Sequence, residues 1–347
     1  MKKWLFSAVG ISLAAGAVGQ AKKVNFEKYT LPNGLKVILH QDKSAPVVAV
    51  TALYHVGSKN EDTSRTGFAH FFEHLLFEGS ENIKRGEFDK YVTNAGGALN
   101  ANTSQDRTFY YELLPSNQLK LGLWLESERM MHAKIEQIGV NTQREVVKEE
   151  KRQRVDNQPY GTILTEVLKR AFTNNYSWAP IGSMEHLNEA KLEEFIAFYK
   201  KYYVPNNCVL SIAGDINIAE TKQLVEAYFG PIPAGAKVPR PSMEQPPLGK
   251  EVRDVIPDNI QLPALIQAYV APKQGSDEYY AFNVLGKILS GGSSSRMNKV
   301  MVDEKQQALA ALSVPFFNED AGLFIVYAIA NGGVAPEVLE KTADSLV

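Results

Sequence analysis

The sequence predicts an α+β fold in two mixed units. Runs with the two-residue period of strands and runs with the 3.6-residue period of helices follow one another without regular alternation, which argues against a doubly wound parallel sheet. Pro231, Pro233, Pro239, Pro241, Pro246 and Pro247 crowd one stretch that divides a long first unit from a shorter second one. A hydrophobic share of 44% and a charged share of 22% over 347 residues are those of a globular chain, not a disordered one.

The first residues stand apart. Lys2 and Lys3 precede an apolar run from Trp4 through Ala17, and the small residues Ala17 and Gly19 precede Gln20. This is the pattern of a secretory signal peptide over residues 1–19, and the run falls short of the ~20 apolar residues of a spanning helix. The expectation is export with cleavage, to a bacterial periplasm, with no transmembrane segment left afterwards. Losing Lys2 and Lys3 makes the formal charge of −2 more negative by two, so the chain has no basic excess with which to grip nucleic acid. Cys208 is the only cysteine, which excludes an intrachain disulfide; its place in the apolar run Cys208–Ala213 marks a buried, inert thiol.

In the first unit, residues 20–230, two short strands flank Asn33-Gly34 as a hairpin, and the β-branched run Val47–Tyr54 reads as a buried strand. Between Gly67 and Phe77, Phe68, Phe71, Phe72, Leu75 and Leu76 recur at helical spacing. A helix near Glu87–Asn94, a Gly96-Gly97 turn and an extended Thr-, Phe- and Tyr-rich stretch over Ala98–Leu114 come next. Helices are expected at Gln118–Met131, Asn141–Val155, Tyr160–Ala171 and Lys191–Tyr202, then a strand at Val209–Ala213 and a helix at Thr221–Tyr228. Residues 231–250 read as a linker. The second unit, 251–347, opens with a strand over Leu265–Val270, a helix over Glu278–Leu289 and a Ser290–Ser295 loop, and reaches Val347 within a helix that starts near Pro336. At about 100 residues it is expected to be incomplete.

His70 and His74, at i and i+4 on the Gly67–Phe77 helix, project from one face a turn apart, so two imidazoles can share one metal. Glu73 lies between them in sequence, close enough to reach a metal-bound water without being a ligand. This is the H-x-x-E-H arrangement. A catalytic zinc takes a third protein ligand, and Glu145, Glu149 and Glu150 on a later helix are the candidates. Helix geometry puts Glu145 and Glu149 on one face and turns Glu150 about 100° away, towards the side of Val146 and Val147, where a carboxylate needs a partner such as a metal. His40, His55, His132 and His186 lack such company and read as surface or hydrogen-bonded histidines.

The segment Gly67-Phe68-Ala69-His70-Phe71-Phe72-Glu73-His74-Leu75-Leu76-Phe77-Glu78-Gly79-Ser80 resembles the signature of the pitrilysin family of zinc peptidases, in its shorter, processing-peptidase-like branch. The resemblance implies a glutamate ligand about 76 residues beyond the second histidine, which selects Glu150. It extends to Gly96–Ser104 and Thr108–Tyr111, which it implies to be an exposed edge strand where Asn100 and Ala101 bind an extended peptide by strand addition. Asn102 stands where the family often has an aromatic residue. The linker and the Leu289–Arg296 loop resemble the family's second, metal-free domain, which implies two homologous units of a sheet covered by helices. Relatives often carry an arginine and, six residues on, a tyrosine in that domain; the aligned residues here are Asp303 and Leu309, and Gln143 replaces a frequent glutamate. The expectation is an exported zinc endopeptidase acting on peptides or unfolded protein, paired with a related subunit that supplies the missing arginine and tyrosine. The alternative is a non-catalytic peptide-binding or assembly subunit of the same fold.

Overall fold

The structure, a computed structural model, describes residues 23–246 and 248–347; the signal peptide expected at 1–19 lies outside them. The first unit is built on a six-stranded sheet. Its strands are β1 (Glu27–Thr30), β2 (Lys36–Gln41), β3 (Val47–Tyr54), β4 (Ala98–Thr103), β5 (Thr108–Pro115) and β6 (Cys208–Gly214), in spatial order β1-β2-β6-β3-β5-β4. Only β2 and β6 run parallel; the other neighbours are antiparallel. Strand β4 is therefore an edge.

Its helices are α1 (Phe68–Leu75), α2 (Phe88–Asn94), α3 (Leu119–Met131), α4 (Gln137–Lys151), α5 (Ile163–Ala171), α6 (Met184–Glu189), α7 (Leu192–Tyr202) and α8 (Ile218–Phe229), of which α1, α2, α3 and α8 pack against the sheet. Helix α1 is only eight residues long and could not persist alone. It is held by Phe68, Phe71, Phe72 and Leu75, all buried, with Phe68 stacked on Phe195 of α7 at 4.6 Å and Phe72 on Phe198 at 5.2 Å. Each such ring contributes about 1.5–3 kcal/mol by leaving water.

The second sheet has three strands, β7 (Ala264–Ala271), β8 (Ala308–Phe317) and β9 (Gly322–Ala330), in order β7-β9-β8, with α9 (Asp277–Ser290) between β7 and β8 and α10 (Pro336–Asp344) after β9. This repeats the β3-β5-β4 half of the first sheet: a strand, a helix, an edge strand, then a central strand inserted between them, all antiparallel. Strand β8 thus occupies the place of β4, and α9 that of α1, but α9 has no counterpart of the His70–His74 pair. Leu323 and Ile325 of β9 pack with Leu168, Phe172 and Tyr176 around α5, and so join the two units.

The mixed α/β architecture and nearly every expected element are present. Among the described residues, α6, β8, β9, a π-helical turn at Asn298–Glu304 and short 3-10 turns such as Ser58–Asn60 and Pro205–Asn207 have no counterpart among the elements expected from the sequence. Strand β8 is alanine-rich and carries Pro315, which an edge strand tolerates because it has no ladder to interrupt on its outer side. Strand β9, with the sequence GLFIVYAIA, is apolar throughout and almost wholly buried, so it carries no alternation to read. No helix or strand falls between Phe229 and Ala264 among the described residues, where the linker was expected. No helix among the described residues is long and apolar enough to cross a membrane.

Candidate metal centre

Both ends of α1 are fixed by buried ionisable side chains, Glu61 just before the helix and Arg129 from α3. At its start Gly67 takes φ 98°, and Gly182 comes so close that a Cβ on it would lie 2.3 Å from Gly67 Cα. Any larger residue at 182 would push the helix from its place. The buried Glu61 carboxylate accepts hydrogen bonds from the Gly67 and Ala69 N–H groups and from Trp178 Nε1, at 2.8–3.0 Å. Burial pushes its pKa up to about 8 against these three bonds. At the other end Arg129 Nη1 donates to Leu76 O at 2.9 Å, and the Tyr110 hydroxyl donates to Phe72 O at 2.9 Å. Arg129 is buried among the rings of Phe77, Phe88 and Tyr110, with Glu126 Oε1 3.0 Å away. Carboxyl oxygens that accept at the N-terminus and a guanidinium that donates at the C-terminus each complement the helix dipole.

From this anchored helix His70 and His74 point at α4. His70 Nε2 lies 3.5 Å and His74 Nε2 3.0 Å from Glu150 Oε2, and the three ligand atoms all lie within 4.8 Å of one another. Burial, and next His74, lower the His70 pKa to about 4, so that ring presents a lone pair near neutral pH. His74 and His70 hold Glu150 below the usual carboxylate range despite its partial burial. Glu150 Oε2 is buried and makes no hydrogen bond among the described residues, while Oε1 meets Arg154 Nη1 at 2.7 Å. Two imidazole nitrogens and one carboxylate oxygen converging on a point with no donor between them fit a tetrahedral divalent metal with one position left open.

The three candidate glutamates of α4 separate by phase. The side chain of Glu150 is 14% exposed, against 69% for Glu145 and 53% for Glu149, whose partners are Lys148 and Arg152. Val147 is buried as expected from the same side, but Val146 is 43% exposed, so the apolar stripe is narrower than the sequence suggested.

Glu73 sits beside the histidines and receives a hydrogen bond from Thr103 Oγ1 to its Oε2 at 2.7 Å. Burial raises its pKa and the Thr103 bond opposes this. Thr103 ends β4, so Glu73 and the edge strand are tied together. On the same strand the Ala101 N–H is taken by the Asn100 side chain at 2.8 Å, which covers an outward-facing donor of an otherwise open edge. Gln143 donates to Glu78 Oε1 at 2.5 Å. Asp303 lies in the π-helical turn, and Leu309 is an exposed residue of β8. His40, His55, His132 and His186 each meet a single nearby oxygen: Asn25 O, Glu319, Glu81 and the Thr66 hydroxyl. Cys208 is buried, and burial pushes its thiol pKa well up.

The sequence does not mark Glu61, Thr103 or Arg129 as parts of the site. The glutamate and arginine carried no signal there, because a charged residue inside a helix or loop reads as solvated until its burial is known. Thr103 lay within a recognised strand, but its reach to α1 depends on how the two elements dock.

A helix-borne histidine pair with a third, distant glutamate and a neighbouring carboxylate is the donor set of a metallopeptidase class of site. Comparison with known proteins shows the family of the chain. Residues 36–181 match the model of Insulinase (Peptidase family M16), and 189–347 match that of the Peptidase M16 inactive domain. The zinc protease PqqE of Helicobacter pylori is 32% identical over 99% of this chain and 78% of its own. A probable mitochondrial-processing peptidase subunit beta of Arabidopsis thaliana is 25% identical over 87% of this chain and 59% of its own. The crystal structure of a protease from Helicobacter pylori superposes with a TM-score of 0.88 at 32% identity, covering 93% of this chain and 79% of that one. The periplasmic protease PqqL of Escherichia coli, at 20% identity, shares the fold with a TM-score of 0.74 over 89% of this chain and 36% of its own. The chain belongs to the M16 family of insulinase- and pitrilysin-like zinc proteases.

Proposed function

We propose that the protein is a zinc-dependent endopeptidase that hydrolyses extended peptides or unfolded segments. The observation that carries this is the convergence of His70, His74 and Glu150 beside a Glu73 already hydrogen-bonded to the end of an edge strand. His70, His74 and Glu150 would hold the zinc. When bound there, zinc supplies a Lewis acid that lowers the pKa of a water towards about 7 and polarises the scissile carbonyl. Glu73 takes the proton of the attacking water and returns it to the leaving amine nitrogen as the C–N bond breaks. Thr103 holds one carboxylate oxygen, which leaves Oε1 for the proton.

The peptide adds to β4. For this the Asn100 side chain releases the Ala101 N–H, whose donor then pairs with the substrate backbone. Main-chain pairing tolerates many sequences, which suits an enzyme of unfolded segments. Residues 20–230 carry this chemistry, and residues 251–347 beyond the 231–250 linker form a metal-free second unit. Asp303 and Leu309 cannot donate to a developing oxyanion as an arginine and a tyrosine can. A related subunit supplying both residues is therefore part of the proposal, as is export to the periplasm.

The test is cleavage of an unstructured peptide by the purified full-length protein, alone and with a co-expressed partner. Activity should vanish with a chelator and return with zinc. A protein that binds one zinc per chain and cleaves no peptide under either condition overturns the endopeptidase reading and leaves the peptide-binding subunit in its place.

A further inference from the structure

The β4 edge has two faces of different chemistry. Leu99, Ala101 and Thr103 are half-buried towards α1, whereas Asn100 and Asn102 are exposed on the other face. On that second face Asn102 stands opposite Phe109 and Asn100 opposite Tyr111, whose rings lie 5.8 Å apart. Arg107, in the turn between β4 and β5, folds back over this surface. Its guanidinium lies 5.2 Å from the Phe109 ring centroid, and its Nη1 donates to Asn102 Oδ1 at 2.6 Å.

Arg107 has no carboxylate within ion-pairing distance among the described residues. The adjacent Asp106 is taken elsewhere: its oxygens meet Lys59 Nζ at 2.9 Å, the Tyr176 hydroxyl at 2.7 Å and the Glu319 N–H at 2.8 Å. The guanidinium is nearly half buried and burial pulls its pKa down, with the negative charges of Asp106 and Glu73 opposing. The turn itself does not need the arginine side chain, because Ser104 Oγ accepts from the backbone N–H groups of Asp106 and Arg107. An oriented, partly desolvated cation without a counter-charge is a receptor for an anion.

We propose that Arg107 binds a substrate carboxylate, so that the site selects peptides carrying a negative group on the Asn102 face of the added strand, at the end nearest Glu73. The inference rests on the peptide reading given above. Side chains of a peptide paired with β4 alternate between the two faces. Every second one lies on the face of Asn100 and Asn102, and the one nearest the scissile bond on that face stands beside Asn102, to which Arg107 donates. The carboxylate is either an Asp or Glu side chain or a free peptide C-terminus; both offer the same two oxygens to the guanidinium fork.

The experiment uses the zinc-loaded, full-length Glu73→Gln protein, so that peptides bind without turnover, and reads fluorescence anisotropy. Fluorescent peptides carry Glu or Gln at one position moved stepwise along an otherwise constant sequence, and a second arm compares free-acid with amidated C-termini. The expected result is one position at which Glu binds about tenfold tighter than Gln, or the same preference for the free acid in the second arm. The preference falls to about one when Arg107→Gln is added, and Arg107→Lys keeps part of it, with the zinc content of both unaltered. A preference that survives Arg107→Gln, or none in either arm, overturns the proposal. Wild-type cleavage of all these peptides without regard to charge overturns it alone, whereas Arg107-dependent binding without wild-type cleavage overturns only the endopeptidase reading. Failure of every peptide to bind overturns both.

Discussion

Thr103 Oγ1 donates a hydrogen bond to Glu73 Oε2 across 2.7 Å, which joins the last residue of the β4 edge strand to the carboxylate beside the histidine pair. One bond thereby fixes the Glu73 carboxylate relative to the β4 edge. The carboxylate needs such a partner, since burial by itself would leave its orientation to the rotamer preferences of a long side chain.

Replacing Thr103 by Val keeps its shape and removes the donor. Turnover should fall roughly ten- to hundredfold with little change in KM, because the base then samples positions from which it cannot take the proton. Thr103→Ser should retain most of the activity, since it keeps the hydroxyl. A Val variant with wild-type kcat would mean that the bond does not position the base.

Glu73→Gln keeps the volume and the Thr103 contact but cannot accept a proton. Bound zinc, measured by metal analysis, should match the wild type, while cleavage falls by about 10²–10⁴. Undiminished cleavage by a zinc-replete variant would falsify the assignment of Glu73 as base.

Glu150→Gln removes the charge of the proposed third ligand, whereas Glu149→Gln removes only a surface partner of Arg152 and Gln153. Zinc affinity should drop by orders of magnitude in the first and change little in the second. Competition with a chromogenic chelator measures both. Equal losses in the two variants would place the third ligand elsewhere on α4.

How much of this was legible follows from what each feature depends on. The His70–His74 pair and the phase of Glu150 are properties of single helices, so residue spacing carried them. The edge strand was legible as strand from its Thr-, Phe- and Tyr-rich stretch, and the peptide-binding use proposed for it rests on the resemblance to known peptidases. The Thr103–Glu73 bond was not legible, because it depends on β4 docking against α1 across 30 residues of chain. Arg129 shows the same limit more sharply. In Glu126-Ser127-Glu128-Arg129 it reads as the solvated face of a helix, yet all four side chains are buried, and the arginine caps α1 through Leu76 O. Strand β9 lacked any polar face from which a period could be drawn, because both its neighbours and the packing around α5 bury it.

Lys59 forms the ionic contact between the two units. Its side chain is 3% exposed, and Nζ lies 2.9 Å from Asp106, 2.7 Å from Glu319 and 2.9 Å from Asp320, the last two in the β8–β9 turn of the second unit. His55 also meets Glu319, at 2.6 Å, and the Tyr176 hydroxyl bridges Asp106 and Asp320. The carboxylates thus have a cation among them already, and the cluster works as a clasp. Lys59→Met leaves three carboxylates facing one another. Because two of them are about half exposed and screened, the cost at neutral pH should be about 1–3 kcal/mol, below the figure for a fully buried pair. The pH dependence has a definite sign. The Glu319 pKa is depressed: its own burial opposes this, but Lys59 and His55 outweigh it, so its contribution is present above the ordinary carboxylate value and lost as pH falls through the folded value. The Lys59 pKa is raised, its burial outweighed by bonds to Glu319, Asp106 and Asp320, so its contribution is present at neutral pH and lost only as pH rises through the folded value in the alkaline range. The gap between wild type and Lys59→Met, followed by thermal unfolding from pH 7 downward, should therefore narrow as the carboxylates take up protons, because acid weakens the clasp in the first and relieves repulsion in the second. A gap that stays constant from pH 7 to pH 4 would show that Lys59 contributes through packing and not through charge.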